Sequence, residues 1–195
     1  MSQFDAQKYH RRSIRLKGYD YSQPGAYFVT IVTYQREALF GEIMNEEVRL
    51  NPLGKLVEKC WLVISTHFPQ AKLDEYVIMP NHLHGIIFLC TGEASADNAF
   101  ILPTEPIPAD ASPLPTIGTK PSSLGAIIQN FKSVSTRLAN SLYFNPGSTL
   151  WQRNYQDHII RNERELNDIR KYIQANPIHW ENDKENLHVL SSRRG

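Results

Sequence analysis

The chain has 195 residues, 41% of them hydrophobic and 21% charged, a globular balance long enough to bury a core without disulfides or structural metals. No apolar run approaches the roughly 18 residues of a membrane span, and the N-terminus carries basic residues but no apolar leader core, so one soluble, cytoplasmic domain covering residues 1–195 is expected. The net charge of +1 is unevenly spread: Glu93, Asp97, Glu105 and Asp110 fall within residues 91–119, which hold no Lys or Arg, leaving +5 on the rest.

In chain order, Lys8, Arg11, Arg12, Arg15 and Lys17, with His10 beside them, read either as an arm lying along phosphates or as a solvated terminus. The segment YFVTIVTY, 27–34, is rich in β-branched and aromatic residues and follows the turn chemistry of SQPG, which predicts a strand. From Pro52 the apolar residues Leu53, Leu56, Val57, Cys60, Trp61 and Ile64 recur at helical spacing, with Asn51 as cap, predicting a helix that ends near Pro69. Tyr76–Met79 and Leu83–Leu89 form a predicted hairpin around Pro80 and Asn81. Cys60 and Cys90 supply neither a disulfide framework nor a CxxC metal motif.

Residues 91–121 hold six of the twelve prolines together with acidic and small polar residues, the composition of a flexible insert. A helix over 122–142 follows, with Leu124, Ile127, Ile128, Phe131, Val134 and Leu138 on one stripe and Lys132 and Arg137 off it. LWQRNYQDHII, 150–160, is predicted as a fourth strand. Asn162, with Glu165 three residues later, starts a last helix that Asn176 and Pro177 end. The order β, α, β, β, α, β, α predicts an α+β protein: a ferredoxin-like antiparallel sheet with helices packed on one face.

The chemistry concentrates in YVIMPNHLHGIIFL. Alternate strand residues share a face, so His82 and His84 project together while Leu83 turns away. Two imidazoles on one rigid strand suit a divalent metal with positions left open; the plainer reading is two histidines hydrogen-bonded to polar neighbours. In the last helix Tyr172 and Asn176 stand four residues apart on one face, placing a phenol beside an amide oxygen that could serve as a third ligand. Alternatively, Tyr172 packs on the core and Asn176 only closes the helix.

MPNHLHGII resembles the His-hydrophobic-His motif of the insertion-sequence-200/605 type transposases, and RKYIQANP resembles the segment that carries their nucleophilic tyrosine. RRSIRLKGYDYSQPGAYFVTI and LWQRNYQDHIIRNERELNDIRKYIQANPIHW further resemble the REP-associated tyrosine transposases. The resemblance spans most of the chain, with the insert as its main departure. It implies that His82 and His84 hold Mg²⁺ or Mn²⁺ and that Tyr172 attacks a phosphate in single-stranded or hairpin DNA, leaving a 5′-phosphotyrosine. Family members often carry Gln four residues after the tyrosine, where this chain has the shorter Asn176.

Tyr155 is a rival nucleophile, and His158 is a candidate to assist the phenol, whose ordinary pKa near 10 makes it a poor nucleophile. Basic and aromatic residues that grip single strands are sought in Arg11, Arg12, Arg15, Tyr19, Phe131 and Lys132, with Phe131 equally suited to the core. Two other functions stay open: a metal-dependent phosphohydrolase, disfavoured because Gly85, Ile86, Ile87 and Phe88 add no ligand, and a non-catalytic DNA-binding protein derived from a transposase. The chain is expected to act as a monomer or homodimer without a membrane partner.

Overall fold

The computed structural model describes residues 19–90, 120–142 and 147–186. The Arg11, Arg12 and Arg15 arm and nearly all of the 91–121 insert lie outside the described residues. Four strands form the main sheet: β1 (Gly25–Val32), β4 (Ala71–Met79), β5 (His82–Leu89) and β6 (Gln156–Ile160). Their order is β4-β5-β1-β6, with every neighbouring pair antiparallel. Counted along the chain, the first, second, third and fourth of these strands lie in the spatial order second, third, first, fourth, the ferredoxin-like arrangement expected of the β, α, β, β, α, β succession.

The two faces of this sheet are both apolar. Tyr27, Val29 and Ile31 of β1 and Leu83, Ile87 and Leu89 of β5 join one buried cluster. It is covered by α1 (Pro52–Leu62) and α3 (Leu124–Leu142), which also pack on each other. The intervening residues Ala26, Phe28, Ile86 and Phe88 form a second cluster with Ile160 and with Leu166, Ile169 and Ile173 of α4 (Glu163–Ala175). The third long helix therefore departs from the one-face packing expected. It covers the opposite face because the central strands are apolar on both sides, and α1 with α3 already fill the first.

Local chemistry explains the element boundaries. The side-chain oxygen of Asn51 accepts from the Gly54 amide at 2.9 Å, and that of Asn162 accepts from the Glu165 amide at 2.9 Å, so both predicted N-caps are in use. The first helix breaks at Val63 and resumes as the single turn α2 (Ile64–His67). The structure adds a hairpin absent from the sequence reading, β2 (Gly41–Met44) with β3 (Glu47–Leu50). Its two-residue turn places Asn45 and Glu46 at φ 52° and 64°, the left-handed pair that such hairpins use.

The fourth strand is shorter than 150–160. Trp151 makes one bridge to Thr33 and then turns inward, its indole N–H donating to Ser135 Oγ at 2.9 Å. Gly85, between His84 and Ile86, faces Trp61: a Cβ there would stand 2.4 Å from the indole Cζ2. Glycine at that position lets α1 seat its largest side chain against the strand that carries both histidines. A bulge in β4 between Leu73 and Tyr76 exposes Asp74 and Glu75 to α4. Arg170 grips Asp74 through two nitrogens, Nε at 2.8 Å, and Gln174 donates to Glu75 at 3.1 Å.

Candidate metal and tyrosine site

His82 and His84 lie on the α4 side of β5 with no exposed surface, their rings 4.4 Å apart. Each is held from behind. Asn81 donates its amide hydrogens to the carbonyls of Arg36 (3.1 Å) and Glu185 (2.7 Å), which forces its oxygen toward His82 Nδ1, 2.8 Å away. Nδ1 must therefore carry the hydrogen, leaving the lone pair on Nε2. Across the sheet Thr30, paired in register with His84, brings Oγ1 to 2.8 Å from His84 Nδ1, which orients that ring.

Tyr172 comes from α4. Its hydroxyl lies 3.3 Å from His84 Nε2 and its ring meets His84 and Phe28 edgewise at 5.3 and 6.0 Å. It is 43% exposed, so the phenol stands at the mouth of a buried imidazole pair. Asn176, one turn further on, closes α4 and is buried. Its Nδ2 points at Asp183 Oδ2, 3.4 Å away.

Three ligand atoms, one each from His82, His84 and Asp183, lie within 4.8 Å of one another. Around them, His82 Nε2 and Asn176 Oδ1 are buried with no hydrogen-bond partner among the described residues. Buried acceptors left without donors, two imidazoles and a carboxylate together form a donor set that fits a divalent cation. Burial drives the His82 pKa down to about 4, opposed by the charge of Glu185, and drives His84 well below its ordinary value. Both rings are thus neutral at physiological pH, the form that ligates metals. The Tyr172 phenol is pushed up, first by burial and then by the charge of Asp183, with a hydrogen bond from Asn176 acting the other way.

Asp183 and Glu185 were not found in the sequence. Both are buried and follow a 3₁₀ turn at Trp180–Asn182, beyond the proline that ends α4. Asp183 Oδ1 accepts from the Glu185 amide at 2.6 Å, and Arg36 Nε donates to Glu185 Oε2 at 2.9 Å, which fastens this turn to the Tyr34–Arg36 turn that follows β1. No periodic spacing links these residues to the histidines. The acidic run WENDKEN was the only available signal.

The other sequence candidates fall elsewhere. Phe131 is 1% exposed and packs between Trp61 and Trp151, so it is a core residue and cannot stack on a base. Lys132 is partly buried, its ammonium donating to the carbonyls of Gln152 and Arg153, and burial lowers its pKa to about 8. It still lines a groove of about 660 Å³ with Arg137 and Arg153. Tyr19 packs edge-on against Tyr21 and Tyr27. Tyr155 packs against the α1–α3 cluster, on the sheet face opposite the histidines. His158 pairs with Glu165 at 2.7 Å, near the start of α4 and seven residues before Tyr172.

No family model matches the chain. Among solved structures, a REP-associated tyrosine transposase bound to a REP hairpin aligns with a TM-score of 0.51 at 16% identity, over 91% of this chain and 73% of that one. A transposase-like structure from Deinococcus radiodurans aligns over 82% of this chain and 95% of its own, with a TM-score of 0.42 at 15% identity. The first likeness is one of fold. An uncharacterized protein of Haemophilus influenzae is 44% identical over 185 residues, 94% of this chain and 97% of its own. The chain therefore belongs to the same family as that Haemophilus influenzae protein, and it has the α+β fold of the tyrosine transposase structure.

Proposed function

We propose that the protein is a metal-dependent tyrosine transposase that cuts and rejoins single-stranded or hairpin DNA through a 5′-phosphotyrosine. The observation that carries this reading is the Tyr172 hydroxyl 3.3 Å from His84 Nε2, at the edge of the one His/His/Asp cluster found among the described residues. His82, His84, Asp183 and the oxygen of Asn176 are the residues that would hold the ion, Mg²⁺ or Mn²⁺. When bound, such an ion supplies positive charge that polarises a phosphate oxygen and favours departure of the 3′-oxygen.

The chain's own groups do the rest. Tyr172, half in solvent, gives up its proton to water, and its oxygen forms a bond to phosphorus while the bond from phosphorus to the 3′-oxygen breaks. That oxygen leaves with the electron pair and takes a proton from solvent. One phosphate ester replaces another, so the reverse step can rejoin a strand without an outside energy source. The groove lined by Lys132, Arg137 and Arg153 has no acidic lining residue, which supports DNA as the partner.

The test is incubation of end-labelled single-stranded hairpins with protein and Mg²⁺ or Mn²⁺, followed by denaturing electrophoresis. A protein–DNA adduct is expected from the wild type, absent from Tyr172→Phe and retained by Tyr155→Phe, with the nucleotide mapped to the peptide KYIQANPIHW. Cleavage without an adduct would instead identify a hydrolase, and a modified peptide containing Tyr155 would move the nucleophile.

A further inference from the structure

We infer that a slot beside the histidine pair receives a single unpaired base of the DNA strand, stacked on Trp180. The inference rests on the proposed DNA reaction and names the part of the substrate that this surface would hold. The slot, of about 230 Å³, lies between the β2–β3 hairpin, the β4–β5 turn and the 3₁₀ turn, with Arg36, Ile43, Pro80, Asn81 and Trp180 among its walls. Its volume falls below the roughly 300–1,000 Å³ of pockets for drug-sized ligands, so it suits one flat group and excludes a base pair.

Position and chemistry agree. The Trp180 ring is part-exposed and lies 6.1 Å from the His82 ring, tilted by 34°. Asn81, another wall of the slot, is the residue that fixes His82. A phosphate brought to the histidines thus carries its neighbouring base to the slot entrance. Ile43, Pro80 and the indole face supply an apolar surface, while Arg36, steadied through its Nε by Glu185, and Glu42 supply a polar rim. Bases of single strands are held in this way, their faces on aromatic rings and their edges on polar groups, whereas duplex bases are already stacked.

The three tryptophans make the test direct. Trp61 and Trp151 are buried at 0% and 3% exposure, so quenching of indole emission by added DNA reports on Trp180. The full-length Tyr172→Phe protein with Mg²⁺ is titrated with labelled hairpins carrying single-stranded dA, dC, dG or dT flanks, and with one whose flank is abasic. Overall binding is followed in parallel by anisotropy of the label.

Base-bearing flanks are expected to quench, and the abasic flank to quench little while binding roughly 5- to 150-fold more weakly, the range for loss of one stacked base. Trp180→Phe, which keeps an aromatic face, should hold the affinity within a few-fold, whereas Trp180→Leu should weaken binding as the abasic flank does. Hairpins that bind by anisotropy without quenching, or that bind equally well with an abasic flank, would refute the base slot and leave the DNA reaction standing. Failure of every hairpin to bind would overturn both.

Discussion

Asn81 offers the most searching test of how the site is held. Its 1% exposed amide joins three groups: the carbonyls of Arg36 and Glu185 and the Nδ1 hydrogen of His82. Asn81→Ala strands all three, and two of them, Glu185 O and His82 Nδ1, sit in bonds that are fully buried. An unsatisfied buried group costs about 1–3 kcal/mol, and water entering the vacated space recovers part of this. The expected loss is therefore roughly 2–4 kcal/mol, read as a fall of about 0.7 M or more in the urea midpoint, given slopes of about 1–3 kcal/mol per M. Losing the restraint on the ring should also weaken metal binding by about 10- to 100-fold, the usual effect of removing an outer-shell partner.

Asn81→Asp separates the two roles. Aspartate keeps an acceptor for the His82 Nδ1 hydrogen, but turns its other oxygen toward two carbonyl oxygens that previously received donors. Stability should fall much as in Asn81→Ala, while metal affinity by titration calorimetry stays within a few-fold of the wild type. Two results would refute the argument: Asn81→Ala with unchanged metal affinity and less than about 0.5 kcal/mol of destabilisation, the scatter of ordinary surface changes, or Asn81→Asp losing metal as heavily as Asn81→Ala.

Replacing Asp183 by Ala should lower Mn²⁺ affinity by at least about 100-fold, beyond the outer-shell range, and Asn176→Ala by less; calorimetry showing the reverse order would make Asn176 the principal third ligand. Gly85→Ala drives a methyl to 2.4 Å from Trp61 and should destabilise by about 1–3 kcal/mol or more, with Trp61→Leu in the same chain relieving part of the strain; a thermal midpoint equal to the wild type would contradict the packing. In chelator-treated protein, His82 has a folded pKa of about 4 against an ordinary 6.5. The unfolded chain therefore binds the extra proton between those values. Stability should be fully present above about pH 6.5 and fall toward pH 4, by roughly 3 kcal/mol from His82 alone. Urea midpoints that stay flat across this window would show that the ring is not shielded from water.

The main sheet and long helices were legible because each carries its own signal: β-branched runs for β1 and β5, and capping residues at Asn51 and Asn162 that the structure uses as written. The pairing of His82 with His84 follows from strand alternation alone. The side of the sheet on which α4 lies was not legible, since β1 and β5 are apolar at successive positions and periodicity cannot assign such residues to one face. The β2–β3 hairpin escaped because Asn45-Glu46 lacks the glycine that usually marks a tight turn. Phe131 illustrates the ambiguity of an aromatic residue on an amphipathic helix: stripe membership favoured the core, and Trp61 and Trp151 occupy both its sides. Asp183 was hidden for a topological reason. It meets the histidines only after the chain has left α4 and turned back, and no local spacing encodes that return.

The rigidity of the candidate site follows from how its parts are anchored. The histidines stand on β5, an inner strand hydrogen-bonded on both sides, so their spacing is set by the sheet. Tyr172 depends on the placement of α4, which the Asp74–Arg170 and Glu75–Gln174 contacts pin to the β4 bulge, two residues before and two after the tyrosine. Arg170 holds the Asp74 carboxyl below its usual range. Asp183 alone comes from a turn, and that turn is fastened by the pair of Arg36 with Glu185, whose carboxylate is 3% exposed. A carboxylate so buried is costly without its partner, which ties the turn to the Tyr34–Arg36 segment after β1. The Glu185 carbonyl also accepts from Asn81, so the residue that secures the third ligand also helps orient the first. Ligands from separate parts of the chain are thereby coupled through one hydrogen-bonded unit, and a change at Arg36, Asn81 or Glu185 should disturb His82 and Asp183 together.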